Sequence, residues 1–338
     1  MIHGENIPLA RLTTLKVGGP ALHVIECASV DDVREAVAFA REQHLPLLPL
    51  GEGSNVLASD EGFPGVVLRM TIPGIVAEES DDSVTLVCGA GVPWDSVVRE
   101  AANRALWGIE NLAGIPGTTG AAPVQNIGAY GMELKQTLAW VDAFDTHTGE
   151  ITRIENSECD FGYRDSRFKH ETNLIIISVA LTLSRHGSPQ TGYSDLARLA
   201  SEGNDLSTPA LIGEAVRAVR ALKFPDLTVV GTAGSFFKNP ILTGDQHLHL
   251  AAKYGAVPSF PVEGGVKIPL AFVLDRVLNL KGHEQGNVSL FGNQPLVLVA
   301  QSGATASEVD AFADMIAVRV KEATGISINR EVRHFPER

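Results

Sequence analysis

Apolar positions in the first part of the chain follow a strand-like run, then helical spacing, then a second strand-like run. Residues 22–27 are extended and apolar, apolar residues recur at helical spacing over 33–40, and Pro46–Leu50 is again apolar. Ser29 stands at the capping position before the helical stretch. This order predicts a βαβ unit whose second strand is parallel to the first and leads directly into a glycine-rich loop.

Along the rest of the chain the pattern predicts strands and helices that do not alternate regularly, which indicates an α+β protein. Further strands are predicted at 65–70, 84–88, 138–146, 151–154, 174–183, 295–300 and 326–333. Helices are predicted from Pro93, from 208 to 223 with Leu222 on its apolar face, and at 244–253, 269–280 and 306–323. The helix-stopping pair Phe224-Pro225 marks the main domain boundary.

Composition narrows the classes of partner. Apolar residues make up 44% of the 338 residues and charged residues 20%, which is typical of a globular enzyme. The formal net charge of −13 disfavours nucleic acid and anionic membranes as partners. The longest apolar run, Leu174–Leu183, is too short to span a bilayer, and the N-terminal residues do not resemble a signal peptide. Three widely spaced cysteines have no metal-like spacing. We therefore expect a cytoplasmic protein without a metal site.

Two glycine-bearing loops are candidates for a phosphate-bearing ligand. Gly51, Gly53, Ser54 and Asn55 lie in a loop that directly follows a strand, where small residues let backbone N–H groups approach a phosphate, although a plain tight turn explains the loop equally well. The segment 111–131 is apolar and punctuated by glycine. Such a segment can contact a flat apolar ligand, and the alternative is an irregular buried connection.

Three single residues are candidates for chemistry, each with an ordinary alternative. Arg164 stands beside a carboxylate, which suggests either a surface ion pair or a guanidinium held to grip a carboxylate. Ser235 lies between a glycine and two phenylalanines without the surroundings of a hydrolase nucleophile. Glu331 ends the last predicted strand, where a glutamate is ordinarily solvated.

Taken together, these segments resemble the type I UDP-N-acetylenolpyruvoylglucosamine reductases, the MurB family, over essentially the whole chain. The matching strings are LKVGGPA at 15–21, GEGSNVL at 51–57, IPGTTGAAPVQNIGAYG at 115–131, FGYRDSRFK at 161–169, GSFFKNP at 234–240 and EVR at 331–333. The resemblance implies a two-part FAD-binding region of the vanillyl-alcohol-oxidase (PCMH) type, over 1–64 and 65–223. A C-terminal α+β substrate-binding domain is implied over 224–338.

The resemblance also implies the residues of the site. FAD is expected to contact Gly51, Gly53, Ser54, Asn55, Ile115, Pro116, Gly117, Thr118, Gly120, Gln125, Asn126 and Gly128. Arg164, Ser235 and Glu331 are expected to be catalytic, and Tyr130, Tyr193, Lys223, Asn239 and Gln294 are expected to contact the substrate. NADPH is the expected co-substrate, UDP-N-acetylglucosamine enolpyruvate the expected substrate, and a monomer the expected state.

Two other functions are consistent with parts of the pattern. An alcohol oxidase on the same FAD scaffold would not need the strings GSFFKNP or EVR. A catalytically silent nucleotide-sugar sensor would have no use for a proton donor such as Ser235. Flavin turnover with NADPH and the enolpyruvyl substrate distinguishes the reductase from both.

Overall fold

The computed structural model describes residues 2–336, and its contacts group them into two compact units. The first unit comprises the described residues up to Ile7 together with Ala21–Glu52 and Pro64–Ala221. The second comprises Pro8–Pro20, Gly53–Phe63 and the described residues from Leu222 onward. The division into consecutive domains over 1–64, 65–223 and 224–338 stays a prediction.

The elements alternate irregularly along the chain, as expected for an α+β protein. The strands are β1 (Ile2–Pro8), β2 (Pro20–Cys27), β3 (Leu47–Leu50), β4 (Val56–Ala58), β5 (Phe63–Met70), β6 (Ile75–Glu79), β7 (Ser83–Gly89), β8 (Gly128–Ala129), β9 (Met132–Glu133), β10 (Leu138–Asp145), β11 (Ile151–Glu155), β12 (Leu174–Ser184), β13 (Ile241–Leu242), β14 (Phe260–Val262), β15 (Gly265–Lys267), β16 (Glu284–Gln285), β17 (Val288–Phe291), β18 (Gln294–Ala300) and β19 (Arg333–Phe335). The helices are α1 (Val30–Glu42), α2 (Trp94–Asn103), α3 (Ser194–Ser201), α4 (Pro209–Lys223), α5 (Gly244–Tyr254), α6 (Leu270–Phe272) and α7 (Ala306–Thr324). Helix α6 continues as a π-helical segment over Val273–Val277, so the helix predicted at 269–280 spans 270–277.

The first unit begins with a four-stranded sheet in the order β1-β2-β5-β3. The predicted strand–helix–strand unit is present as β2, α1 and β3, but β5 lies between the two strands and is parallel to β3. The Ser29 hydroxyl accepts a hydrogen bond from the Asp32 N–H at 3.1 Å and so caps α1. The buried face of α1 lies in one core cluster with residues of β2 and β5.

A five-stranded antiparallel sheet forms the larger part of the first unit, in the order β11-β10-β12-β7-β6. Its central strand β12 is the predicted apolar run and is buried along most of its length. Strand β6 was not predicted, because most of its side chains are exposed and give no strong apolar alternation. This sheet and α2 contribute to one apolar core that also includes Leu112, Ile127 and Tyr130.

The second unit has its own core, built around α7 and the strand β18. The unit contains three small sheets, in the orders β13-β15-β14, β16-β17-β18 and β19-β4, the last of them parallel. Helix α7 begins with the predicted capping box of Thr305 and Glu308 and ends at Gly325, which has a left-handed φ of 74°.

Two details of the predicted elements are wrong. The predicted strand over 326–333 is present only as Arg333–Phe335, because the residues before it contact a different segment through an isolated bridge between Phe237 and Arg330. Leu222, placed on the apolar face of α4, is 70% exposed, since the buried face of that helix ends at Val219. Among the described residues, no helix is long and apolar enough to cross a bilayer.

Candidate functional site

The predicted flavin loop is held to the connection between β7 and α2 by backbone hydrogen bonds. Trp94 N–H donates to the Gly117 carbonyl at 2.9 Å, and Thr119 N–H donates to the Val92 carbonyl at 2.8 Å. Gly120 N–H donates in the same way, to the Ala90 carbonyl at 2.9 Å. The stretch is therefore an ordered loop whose backbone is fixed by its neighbours.

Thr118 and Gly51 meet at the start of this loop. A Cβ atom on Gly51 would lie 2.2 Å from Thr118 Oγ1, so glycine allows the close approach. The Glu52 carboxylate accepts a hydrogen bond from Gly117 N–H at 2.9 Å. The buried Thr118 hydroxyl has no hydrogen-bond partner among residues 2–336. A buried hydroxyl without a partner beside a glycine loop fits a polar ligand such as a phosphate-bearing cofactor.

Glu52 was not predicted as a site residue. Its carboxylate links the two predicted FAD-contacting segments within the first unit, since it lies next to Gly51 and binds Gly117. Its position between Gly51 and Gly53 in the string GEGSN was the available signal.

We expect Gly51→Ala to lower the free energy of unfolding by about 1–3 kcal/mol and to reduce bound FAD, because the new methyl group would overlap the Thr118 hydroxyl. Urea unfolding and the ratio of flavin to protein absorbance measure both effects. The double variant Gly51→Ala/Thr118→Ala should regain most of the stability, because Thr118 Cβ would then be the nearest atom of that residue, at 3.3 Å. Equal stability of the single and double variants would contradict this assignment.

The other half of the glycine-rich loop belongs to the second unit. Gly53 has a φ of 62°, and a Cβ there would lie 2.5 Å from the Leu12 carbonyl oxygen. The Asn55 side chain donates to the Glu331 carbonyl at 3.2 Å, and Arg333 N–H donates to the Asn55 carbonyl at 3.1 Å. The predicted phosphate loop and the predicted catalytic glutamate are therefore neighbours in this unit.

Asn126 is fully buried and holds the second flavin segment in place. Its side-chain amide donates to the Glu133 carboxylate at 3.0 Å and to the Gly162 carbonyl at 3.1 Å. Its side-chain carbonyl accepts from Lys135 N–H at 3.0 Å. The backbone φ of 45° suits asparagine better than most residues. The side chain is therefore committed to protein contacts, and its contact with FAD stays a prediction.

Arg164 lies against this same segment. Its guanidinium donates to the Gly128 carbonyl at 2.8 Å, and its own carbonyl accepts from Lys169 Nζ at 3.1 Å. Asp165, the carboxylate considered as its surface partner, lies 2.9 Å from His170 Nε2. The structure thus brings the predicted catalytic arginine to a predicted flavin-contacting residue.

The two predicted substrate tyrosines of the first unit are in contact. The rings of Tyr130 and Tyr193 meet edge to face with centroids 5.2 Å apart. The Asn111 side chain donates at 2.9 Å to the carbonyls of both Tyr130 and Gln190, which ties the chain preceding Tyr193 to this position. Burial raises the pKa of Tyr130 to about 12, so its phenol stays protonated and can donate a hydrogen bond.

Arg220 lies near Tyr130 and was not predicted. Its Nε–H donates to the Gly114 carbonyl at 2.9 Å, and its charge opposes the rise in the pKa of Tyr130. Desolvation lowers the pKa of Arg220, although a guanidinium stays charged. Arg220 lies four residues after the buried Val216 and therefore on the same face of α4, which was the available signal in the sequence.

In the second unit, Ser235 and Glu331 lie on neighbouring backbone segments. Ser235 forms an antiparallel bridge with Val297, and Phe236 N–H donates to the Leu296 carbonyl at 2.8 Å. On the opposite side, Glu331 N–H donates to the Phe236 carbonyl at 2.9 Å. The segment with Ser235 is therefore held between β18 and the segment with Glu331.

A partly buried ion pair fixes the segment that carries Glu331. Arg330 pairs with the carboxylate of Asp310, a nearly fully buried residue of α7, and donates to its carbonyl at 3.2 Å. His334 Nε2 lies 3.1 Å from the other carboxylate oxygen. The contacts on both sides of Glu331 therefore hold its position against α7.

We expect Asp310→Ala to lower the free energy of unfolding by about 2–4 kcal/mol, because it leaves the partly buried Arg330 without its main partner. The exposed Asp314 pairs with the same arginine, so Asp314→Ala is the matched control and should cost less than about 1 kcal/mol. Urea unfolding of both variants provides the test. Similar losses in the two variants would show that Asp310 does not anchor this segment.

The remaining predicted substrate residues of the second unit have identifiable places. The Asn239 side-chain oxygen accepts from Leu270 N–H at 2.9 Å, at the start of α6. Gln294 begins β18 opposite Phe291, and Lys223 ends α4. Their contacts with a substrate stay predictions.

Comparison with known proteins identifies the class first. A family model described as an FAD-binding domain matches residues 21–155, and one described as the C-terminal domain of UDP-N-acetylenolpyruvoylglucosamine reductase matches residues 226–335. The protein is an FAD-binding oxidoreductase. The predicted fold class, an α+β protein with an FAD-binding region and a C-terminal α+β domain after it, is confirmed.

Relatives identify the family. The UDP-N-acetylenolpyruvoylglucosamine reductase of Pasteurella multocida is 38% identical over 320 residues, which are 94% of this chain and 92% of that protein. The enzyme of the same name from Photobacterium profundum is 39% identical, over 97% of this chain and 94% of that protein. The crystal structure of the Thermus caldophilus reductase is similar with a TM-score of 0.68 at 25% identity, over 98% of both chains. The chain belongs to the UDP-N-acetylenolpyruvoylglucosamine reductase (MurB) family.

Proposed function

We propose that this protein is a UDP-N-acetylmuramate dehydrogenase, which uses NADPH to reduce UDP-N-acetylglucosamine enolpyruvate to UDP-N-acetylmuramate for peptidoglycan synthesis. Family membership supports the substrate class. The observation that carries the proposal is the adjacency of Ser235 and Glu331 within the family's C-terminal domain, where Glu331 N–H donates to the Phe236 carbonyl at 2.9 Å. A serine hydroxyl and a carboxyl group on neighbouring segments suit a proton-transfer site.

The cofactor of this reaction is FAD, and the residues of the glycine loops fit it. Gly51, Gly53, Ser54 and Asn55 would hold the pyrophosphate, and the segments 115–120 and 125–128 would contact the flavin. When bound, FAD accepts a hydride from NADPH and supplies one to the terminal carbon of the enolpyruvyl group. The buried Thr118 hydroxyl has no hydrogen-bond partner within the part of the chain that the structure describes, which supports a polar ligand at this loop.

Arg164 would stabilise the charge that develops on the substrate. Hydride addition to the terminal carbon leaves negative charge that spreads into the neighbouring carboxylate as an enolate-like species. A guanidinium directed at those oxygens stabilises the transition state more than the ground state. The hydrogen bond from Arg164 to Gly128, within a predicted flavin segment, supports this role.

Ser235 would donate the proton to the carbon next to the carboxylate, and Glu331 would complete this part of the site. A serine hydroxyl is a weak acid, so it can protonate only a strongly basic carbon, as the enolate-like species is. Two buried phenylalanines, Phe236 and Phe237, follow Ser235, and the hydrogen bond from Phe236 N–H to the Leu296 carbonyl holds this backbone in place.

The substrate would be bound by neutral donors and a cation. Tyr130 and Tyr193 would contact it through phenols, Lys223 would meet the diphosphate, and Asn239 and Gln294 would add polar contacts. Burial raises the pKa of both tyrosines, which supports their action as hydrogen-bond donors at neutral pH.

NADPH and the substrate would use one pocket in turn, so initial rates should follow a ping-pong pattern. The experiment measures NADPH oxidation at several concentrations of both compounds and identifies the product by mass, which should exceed that of the substrate by two hydrogen atoms. Parallel double-reciprocal lines and this product are expected. NADPH oxidation with no reduced nucleotide sugar would contradict the proposal, and turnover of an alcohol with oxygen would indicate an oxidase instead.

A further inference from the structure

Two histidines and a glutamate come together at the edge of the first sheet. His3 and Glu5 lie on β1, and His23 lies on the neighbouring strand β2. His3 Nε2 and His23 Nδ1 are 3.0 Å apart, and a Glu5 carboxylate oxygen lies 4.0 Å from His23 Nδ1. One ligand atom from each residue lies within 4.8 Å of the others. The sequence does not reveal this group, because residues 3 and 23 meet only through strand pairing.

The spacing of these atoms is close to that of metal ligands. Two nitrogens bound to one tetrahedral zinc ion lie about 3.3 Å apart, given bond lengths of about 2.0–2.1 Å. The two imidazole nitrogens share a hydrogen bond at 3.0 Å and are already near that separation, so a bound ion would replace this hydrogen bond. The Glu5 oxygen would need to move less than about 1 Å closer to His23 Nδ1 to reach this separation. The Glu5 side chain is 68% exposed, so this movement displaces no packed atoms.

An aromatic side chain of α1 supports both imidazoles. The Phe39 ring meets the His3 and His23 rings edge to face, each with a centroid distance of 5.2 Å. The His23 side chain is only 15% exposed, which limits its rotation. Ligands whose rings are held by packing bind a metal with less loss of conformational entropy than freely rotating side chains do.

We propose that His3, Glu5 and His23 form a binding site for a divalent transition-metal ion of the zinc class. The ligand atoms would be His3 Nε2, His23 Nδ1 and one Glu5 carboxylate oxygen, and water would take the remaining position on the exposed side. Two imidazoles favour zinc, copper or nickel over magnesium and calcium, which prefer oxygen ligands. The bound ion would join β1 to β2 and so stabilise the first strand of the sheet. This site is separate in its residues from those assigned to the reductase reaction.

Isothermal titration of the FAD-loaded protein with zinc chloride tests the proposal. We expect one zinc ion per chain and an increase in the melting temperature that EDTA reverses. His3→Ala and Glu5→Gln, both at exposed positions, should each weaken zinc binding by about tenfold or more. Magnesium chloride at the same concentration should give no saturable binding.

His44→Ala is the matched control, because His44 is exposed in the same unit but lies outside the group. It should bind zinc as the unaltered protein does. Absence of saturable zinc binding in the unaltered protein would overturn the proposal, as would binding that survives His3→Ala and Glu5→Gln. NADPH oxidation should be unchanged in all three variants, so the result is independent of the proposed reaction.

Discussion

Replacing Ser235 with alanine should lower substrate turnover by about 10²–10⁴-fold, roughly 3–5 kcal/mol in activation free energy, if this hydroxyl is the general acid. Reduction of the flavin by NADPH should remain at its original rate, because that half-reaction needs no proton from Ser235. Stopped-flow absorbance measures the two half-reactions separately. The fold should survive, since the backbone contacts of residue 235 with β18 do not involve its side chain.

Two further variants make the assignment of Ser235 specific. Ser235→Cys should retain more turnover than Ser235→Ala, because a thiol can still donate a proton. Ser302→Ala removes an exposed serine of the same unit and should leave both half-reactions unchanged. If Ser235→Ala slowed flavin reduction as much as substrate reduction, the proton-donor role would be wrong.

Replacing Arg164 with lysine should lower kcat by about 10²–10³-fold, in the range found when one donor to a developing oxyanion is removed. Lysine keeps the positive charge but loses the planar fork that can bind a carboxylate with two parallel hydrogen bonds. It also loses the guanidinium that donates to the Gly128 carbonyl at 2.8 Å, so flavin content must be measured in the same preparation. Flavin reduction by NADPH should be less affected than substrate reduction.

Arg153→Lys is the matched control for Arg164. Arg153 makes a two-point contact with Asp142 on the surface of the same unit, at 2.9 and 3.1 Å, and its side chain is half exposed. Its replacement should change kcat by less than about twofold, because exposed ion pairs contribute little. A loss of kcat in Arg164→Lys no greater than in this control would remove Arg164 from the charge-stabilising role.

Elements with local signals were predicted well from the sequence. Helix α7 has a capping box at its start and a glycine just beyond its end, and both signals depend only on residues in or next to that helix. Strand β12 is a long apolar run buried along most of its length, which a window of neighbouring residues reveals. Such signals need no knowledge of the tertiary structure.

Features that depend on distant partners were not predictable in this way. Of the predicted strand over 326–333 only Arg333 lies in a strand, because residues 329–331 contact the Ser235 segment, about a hundred residues earlier in the chain. The anchoring of Arg330 by Asp310 depends on packing between separate segments. The same holds for the Thr118 hydroxyl, which is buried without a hydrogen-bond partner among the described residues. Edge strand β6 is largely exposed and gave no clear apolar period.

Short sequence motifs identified the candidate residues of the site, whereas only the structure shows which residues they contact. The strings YRDS, GSFFKNP and EVR located Arg164, Ser235 and Glu331. The structure adds that Arg164 binds Gly128 and that the segments of Ser235 and Glu331 are neighbours. Their roles in catalysis stay predictions until the variants are measured.

An anaerobic spectral titration of the purified protein tests both proposed half-reactions together. NADPH is added first, and UDP-N-acetylglucosamine enolpyruvate is added after the excess has been consumed or removed. We predict that NADPH bleaches the flavin bands and that the enolpyruvyl substrate restores them, which would establish both half-reactions in one experiment. Bleaching without recovery would contradict the proposed substrate, and a protein that binds no flavin would contradict the account as a whole.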